Sequence, residues 1–125
     1  MQNNPFAVPN SEESFFRLSD INIGIANAIR QTFSERSFWV VAEISDLAVR
    51  KGHCYISLVE KPAGATSPTC EMKGIVWASS WPFVSTKFKS ASGMDLSKGM
   101  VILFRTVVRY DIKWGLSLVI SDIDP

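Results

Sequence analysis

The apolar residues of this chain first change period near Phe38, and that change limits the folds open to it. Ahead of it, Ile21, Ile25, Ile29 and Phe33 recur every four residues, the spacing of a single helix face. Ser19 is suited to cap that helix, Asp20 falls in its first turn where the helix dipole favours negative charge, and Leu18 and Ile23 stand at staple positions. Gly24 weakens the helix, which is expected to end near residues 34–37. Behind Phe38 the period falls to two. Val40, Ala42 and Ile44 alternate with Val41, Glu43 and Ser45, as in a strand with one buried face.

Further strands follow. Arg50-Lys51-Gly52 reads as a turn. In the second strand, 53–59, Cys54, Ile56 and Leu58 point one way and His53, Tyr55 and Ser57 the other. The stretch 61–69 is a loop by its Pro, Gly and Ser content, and 70–77 is a third strand. Ser80-Trp81-Pro82 resembles a helix start, and Trp81, Val84 and Phe88 would share its inner face. The fourth strand, 100–110, contains Val101-Ile102-Leu103-Phe104, apolar on both faces, so that neither side reads as plainly wet. After a turn at 111–115, Leu116, Leu118 and Ile120 face inward and Ser117, Val119 and Ser121 outward. Strands in the order β-β-β-α-β-β after a leading helix match a mainly β (α+β) class. The five-stranded Greek-key barrel of the OB-fold has this layout, with an N-terminal helix and a helix between strands three and four. Other α+β sandwiches accommodate the same string.

Composition narrows the function. The 125 residues suffice for one core without metal or disulfide support, and the +1 net charge means that any polyanion partner must be met by local clustering of cations. The two cysteines, Cys54 and Cys70, and the single His53 do not make a zinc site, and two reduced thiols are the expectation. No apolar run approaches the ~20 residues of a membrane span, so no membrane partner is expected. Residues 1–10 are polar, with Pro5 and Pro9, and lack the form of a secretion signal, so the cytoplasm is the expected compartment. The carboxylates are scattered. Glu12-Glu13 falls in the leader and Asp122-Ile123-Asp124 at the end of the chain, so neither has the rigid support of an acid/base pair. No GxxxxGK[ST] phosphate loop occurs. No catalytic residue, cofactor or metal is therefore assigned.

Nucleic-acid binding fits better. OB-folds hold a strand across their second and third strands, helped by the loops joining strands 1–2 and 4–5. Here the first loop carries Arg50 and Lys51, and the second carries Lys113 and Trp114 with Arg109 and Tyr110 just ahead of it. Outward positions between them are His53, Tyr55, Lys73 and Trp77. Cations compensate phosphates, and exposed rings accept stacked bases. Several of these residues have ordinary alternatives. His53 can serve its turn alone, Lys73 and Arg109 can pair with Glu71 or Asp111, and Trp39 is read as a packing residue.

Leu18-Ser19-Asp20-Ile21-Asn22, the run Phe38-Trp39-Val40-Val41-Ala42-Glu43-Ile44-Ser45-Asp46-Leu47 and Gly52-His53-Cys54-Tyr55-Ile56-Ser57-Leu58 stand in an order that resembles a known family. Tyr110-Asp111-Ile112-Lys113-Trp114-Gly115-Leu116-Ser117-Leu118 and the closing Asp122-Ile123-Asp124-Pro125 continue it. That family is the N-terminal OB domain of exodeoxyribonuclease VII large subunits. The likeness covers residues 16–125, with 1–15 read as a flexible leader, and departs at Ala42, Ile56 and Val59-Glu60. It implies a domain that binds single-stranded DNA for a nuclease region further along a longer chain. Catalysis, and docking of the small subunit, would belong to that region. An alternative reading is an OB-like protein-interaction module, self-associating or docking on the rest of the enzyme, without affinity for nucleic acid.

Overall fold

The computed structural model describes residues 15–125; residues 1–14, with most of the expected leader and Glu12-Glu13, lie outside the described residues. The elements are α1 (Leu18–Phe33), β1 (Phe38–Arg50), β2 (His53–Glu60), β3 (Cys70–Val76), α2 (Trp81–Ser92), β4 (Val101–Asp111) and β5 (Gly115–Asp124). The strands close in the order β1-β2-β3-β5-β4. All neighbours are antiparallel except β3 and β5, which run parallel and pair only over Gly74↔Leu118 and Ile75↔Val119. This is the five-stranded OB barrel expected from the order of elements.

β1 is longer than its apolar alternation suggests because it serves two partners. Phe38 to Glu43 pair with β4, and Glu43 to Arg50 pair with β2. A bulge between Ile44 and Asp46 re-aims the strand between them, and the Ser45 hydroxyl there donates to the Ser57 carbonyl at 3.2 Å. A second bulge, between Arg105 and Thr106, leaves the fully buried Thr106 donating its Oγ1 hydrogen to the Val119 carbonyl at 2.9 Å, so that no polar group is stranded in the core. The inner layer is Ile44, Cys54, Ile56, Leu58, Val76, Ile102, Phe104, Leu118, Ile120 and Ile123, closed over by Val84 and Phe88 of α2. Trp81 packs half-buried on the same face, as its spacing from Val84 and Phe88 predicts. Gly74 is needed where β3 meets β5, since a Cβ there would lie 2.9 Å from Ile120 Cδ1 and 3.1 Å from Leu58 Cδ1.

The helix departs from the sequence expectation. Its N-cap is Arg17 rather than Ser19, because the Asp20 carboxylate at the third helical position accepts the Arg17 N–H at 2.9 Å. Leu18 and Ile23 therefore do not flank the cap as a staple. Ile29 and Phe33 reach the core, and Phe33 stacks on Phe38 at 6.2 Å, but Ile21 and Ile25 stay more than 40% exposed and no residue of α1 is buried. The helix packs mainly along β4, with Phe33 against Phe38 of β1 at its C-terminal end, so the first half of its apolar stripe stays exposed. Three strand expectations are also corrected. Val101 is 68% exposed and Leu103 half-exposed, because none of the described residues covers the outer face of β4 there. Trp39 is 47% exposed on the adjoining outer face of β1, paired with Arg105, rather than packed. Leu116 is exposed because β5 has already parted from β3 at that position. No helix among the described residues is long and apolar enough to cross a membrane.

The thiols cannot meet. Cys54 pairs with Val76 near one end of β2, whereas Cys70 pairs with Glu60 at the other, about 20 Å away at strand spacing. Burial pushes the Cys54 thiol up to about 11 from 9.0. At pH 8 a maleimide should label exposed Cys70 rapidly and leave Cys54 untouched until the chain unfolds; equal labelling of both in the native state would contradict this packing. The raised folded value also fixes a sign. Between pH 9 and about 11 the thiol ionises in the unfolded chain before it does in the folded one, so its contribution to stability is lost as pH rises through that window.

Candidate nucleic-acid interface

The turn between β1 and β2 organises one end of the outer face. Lys51 and Gly52 both have positive φ, 53° and 83°, and Arg50 pairs with His53 across them, a two-residue type I′ hairpin. Any side chain at Gly52 would be strained, and its Cβ would lie 3.1 Å from Ala78 Cβ, so the turn is seated on the chain leaving β3. The seat is also hydrogen-bonded: the Ala78 N–H donates to His53 Nδ1 at 2.8 Å. That acceptor role assigns the ring proton to Nε2, leaving one outward donor.

His53 is thus more than a turn residue. Its ring meets Trp77 edge-on at 5.1 Å and Tyr55 at 6.3 Å, which sets the spacing of two exposed rings. The Arg50 guanidinium lies 5.8 Å from the Tyr55 ring centroid. The register places Tyr55 beside Ile75, and Ser57 beside Lys73, on the same outer face. Ile75 is buried although it points outward, between Tyr55 of β2 and Val119 of β5, and gives the platform an apolar floor.

The other end is built by the β4–β5 hairpin. Asp111 Oδ1 accepts the backbone N–H of Lys113 at 2.7 Å and of Trp114 at 2.8 Å, an Asx turn that holds the loop. Trp114 is 80% exposed, with Lys113 Nζ 5.0 Å from its ring centroid. Asn22 of α1 tethers this hairpin: its Nδ2 donates to the Ile112 carbonyl at 2.6 Å, and its Oδ1 accepts the Tyr110 hydroxyl at 2.6 Å. The role of Asn22 was not marked in the sequence reading, because the groups it bonds lie about 90 residues away. Trp114 also forms one wall of a concavity of about 500 Å³ with Glu71, Met72, Lys73 and Leu116, at the point where β3 and β5 separate.

The cations differ in their partners. Lys61, Lys87, Lys89 and Arg109 enter ion pairs with Glu43, Asp122, Asp95 and Glu35. Arg50, Lys51, Lys73 and Lys113 have no carboxylate partner among the described residues, nor do Arg17, Arg30, Arg36, Lys98 and Arg105, which lie away from this face. Arg50, His53, Tyr55 and Trp77 form one connected cluster, Lys51 sits at the adjoining turn tip, and Lys73 and Trp114 share the concavity with Lys113 beside it. Arg109 is not brought to this face; it points to Glu35 in the α1–β1 connection, 4.0 Å away, and not to Asp111. Lys73 does not pair with Glu71 although both line the same concavity. No cluster of three or more His, Cys, Asp or Glu side chains that could hold a metal ion forms among the described residues.

A closed five-stranded barrel with two helices, carrying basic and aromatic side chains together on its outer face, defines an OB-type binding domain. The chain belongs to the OB-fold nucleic acid binding domain family, whose model matches residues 16–124. No curated protein sequence matches it. Among solved structures, the S. pombe Stn1–Ten1 complex is similar with a TM-score of 0.51 at 12% identity, over 71% of this chain and 57% of that one. A putative aspartyl-tRNA synthetase from Leishmania major Friedlin gives 0.51 at 9% identity, over 93% of this chain and 22% of that one. The S. cerevisiae mitochondrial single-stranded DNA binding protein Rim1 gives 0.47 at 18% identity, over 71% of this chain and 91% of that one. The chain therefore spans little more than half of the first of these and about a fifth of the second. At such identities the likeness is one of fold.

Proposed function

We propose that this domain, residues 16–125, binds single-stranded DNA and presents it to the nuclease region of an exodeoxyribonuclease VII large subunit in the cytoplasm. The observation that carries the binding step is the convergence of four cations and three exposed rings on one outer face. Arg50, Lys51, Lys73 and Lys113 accompany the exposed rings of Tyr55, Trp77 and Trp114, so phosphates and bases of one strand would meet suitable groups together. The link to exodeoxyribonuclease VII rests on the ordered segments around Trp39, His53, Trp114 and Asp122. In this reading the small subunit is recruited, and catalysis performed, by a region beyond these residues.

Titration of a labelled oligo-dT at a series of salt concentrations tests the binding step. Four neutralised phosphates give a slope of log affinity against log salt of about −3. A flat salt response, or no binding at low salt, contradicts the proposal. The apolar outer patch of Trp39, Val41, Val101 and Leu103 favours a second reading, a protein-interaction face. A stable oligomer by light scattering that Trp39→Ala disperses, from a domain without affinity for DNA, would select that reading instead.

A further inference from the structure

Glu71 has no obvious place in a site that only holds phosphates. It lies two residues from Lys73 on the same outer face of β3 and lines the same concavity, yet the two charges do not close on each other. A bare carboxylate beside a phosphate path costs affinity, because like charges repel. It is explained if it meets a base edge. Met72 and Leu116 give the concavity apolar lining, the Trp114 ring provides a stacking wall, and Lys73 provides a cation for the adjoining phosphate.

On this basis, and resting on the single-strand-binding reading above, we propose that the concavity between β3 and the β4–β5 hairpin is a base-selective subsite for amino-bearing bases. Guanine fits it best, and Glu71 is the selecting residue. A carboxylate only accepts hydrogen bonds. Guanine offers a ring N–H and an exocyclic amino group side by side, matching both carboxylate oxygens. Cytosine and adenine offer an amino group. Thymine offers one ring N–H between two carbonyl oxygens that face the carboxylate unfavourably.

Fluorescence anisotropy at fixed low salt tests this, with oligo-dT and an equal-length strand in which isolated thymidines are replaced by guanosines. Both are titrated against the wild-type chain, Glu71→Gln and Glu71→Ala. Because Glu71 is exposed, neither substitution disturbs the core, and an unchanged circular dichroism spectrum checks this. The wild type is expected to favour the guanosine strand about tenfold, in the range of a good base-edge contact. Both variants should bind oligo-dT more tightly and lose the preference. A wild-type preference near unity overturns the subsite while leaving strand binding intact. So does a preference that survives in both variants, since it would then come from stacking alone. Binding to neither strand overturns the underlying reading as well.

Discussion

Tyr55→Ala and Trp114→Ala are each expected to weaken oligo-dT binding by about 1–3 kcal/mol, roughly 5- to 150-fold, the range for removing a ring on which a base stacks. The two rings stand in separate parts of the site. Tyr55 belongs to the cluster with His53 and Arg50 by the β1–β2 turn, and Trp114 to the hairpin across the β3–β5 seam. They share no partner, so the double variant should lose close to the sum of the two single losses. Both side chains are exposed, so thermal stability should change little. Each variant is measured by anisotropy at constant salt, with melting curves as control. Affinity unchanged in both single variants would remove the rings from the site. Loss of affinity accompanied by a large fall in melting temperature would mark them as packing residues.

Phe104→Ala is expected to destabilise the fold by about 3–5 kcal/mol, the cost of emptying a buried aromatic site. Phe104 is fully buried on β4, opposite Val40 of β1 and Ile123 of β5, so it joins three strands of the barrel at once. Single domains are stable by only about 5–15 kcal/mol, so this one substitution removes a large share. Urea denaturation should show the midpoint falling sharply while the dependence on denaturant stays the same. Binding should fall only in proportion to the unfolded fraction, because Phe104 contributes nothing to the outer face. A loss under 1 kcal/mol would mean that the core is not closed around this ring.

The facing of the candidate residues was legible where local alternation decides it. Cys54, Ile56 and Leu58 mark the inner face of β2, which turns Tyr55 outward. The same period on β3 exposes Lys73 and Trp77, and the Arg50-Lys51-Gly52 and Asp111 to Gly115 turns present their cations as expected. What failed depends on layers that meet late in the chain. Trp39 is the kind of residue a core takes, but no element among the described residues covers the outer side of β1 beside Leu103. Ile21 and Ile25 repeat as a buried stripe would, yet α1 packs mainly on β4 and leaves them exposed. Arg109 faces outward as read, but its neighbour is set by where Glu35 follows α1. Glu71 becomes a neighbour of Trp114 and Leu116 only through the parallel β3–β5 seam, which joins segments some 44 residues apart and leaves no local trace in either.

Backbone amide shifts recorded while unlabelled oligo-dT is added to the isotope-labelled chain would trace the contact surface residue by residue. The largest changes should fall on residues 50–55, 73–77 and 111–116, and they should shrink together as salt is raised. Changes confined to the Trp39, Val41 and Leu103 side of the barrel, or shifts scattered without pattern, would mean that a DNA strand does not lie where the rings and unpaired cations meet.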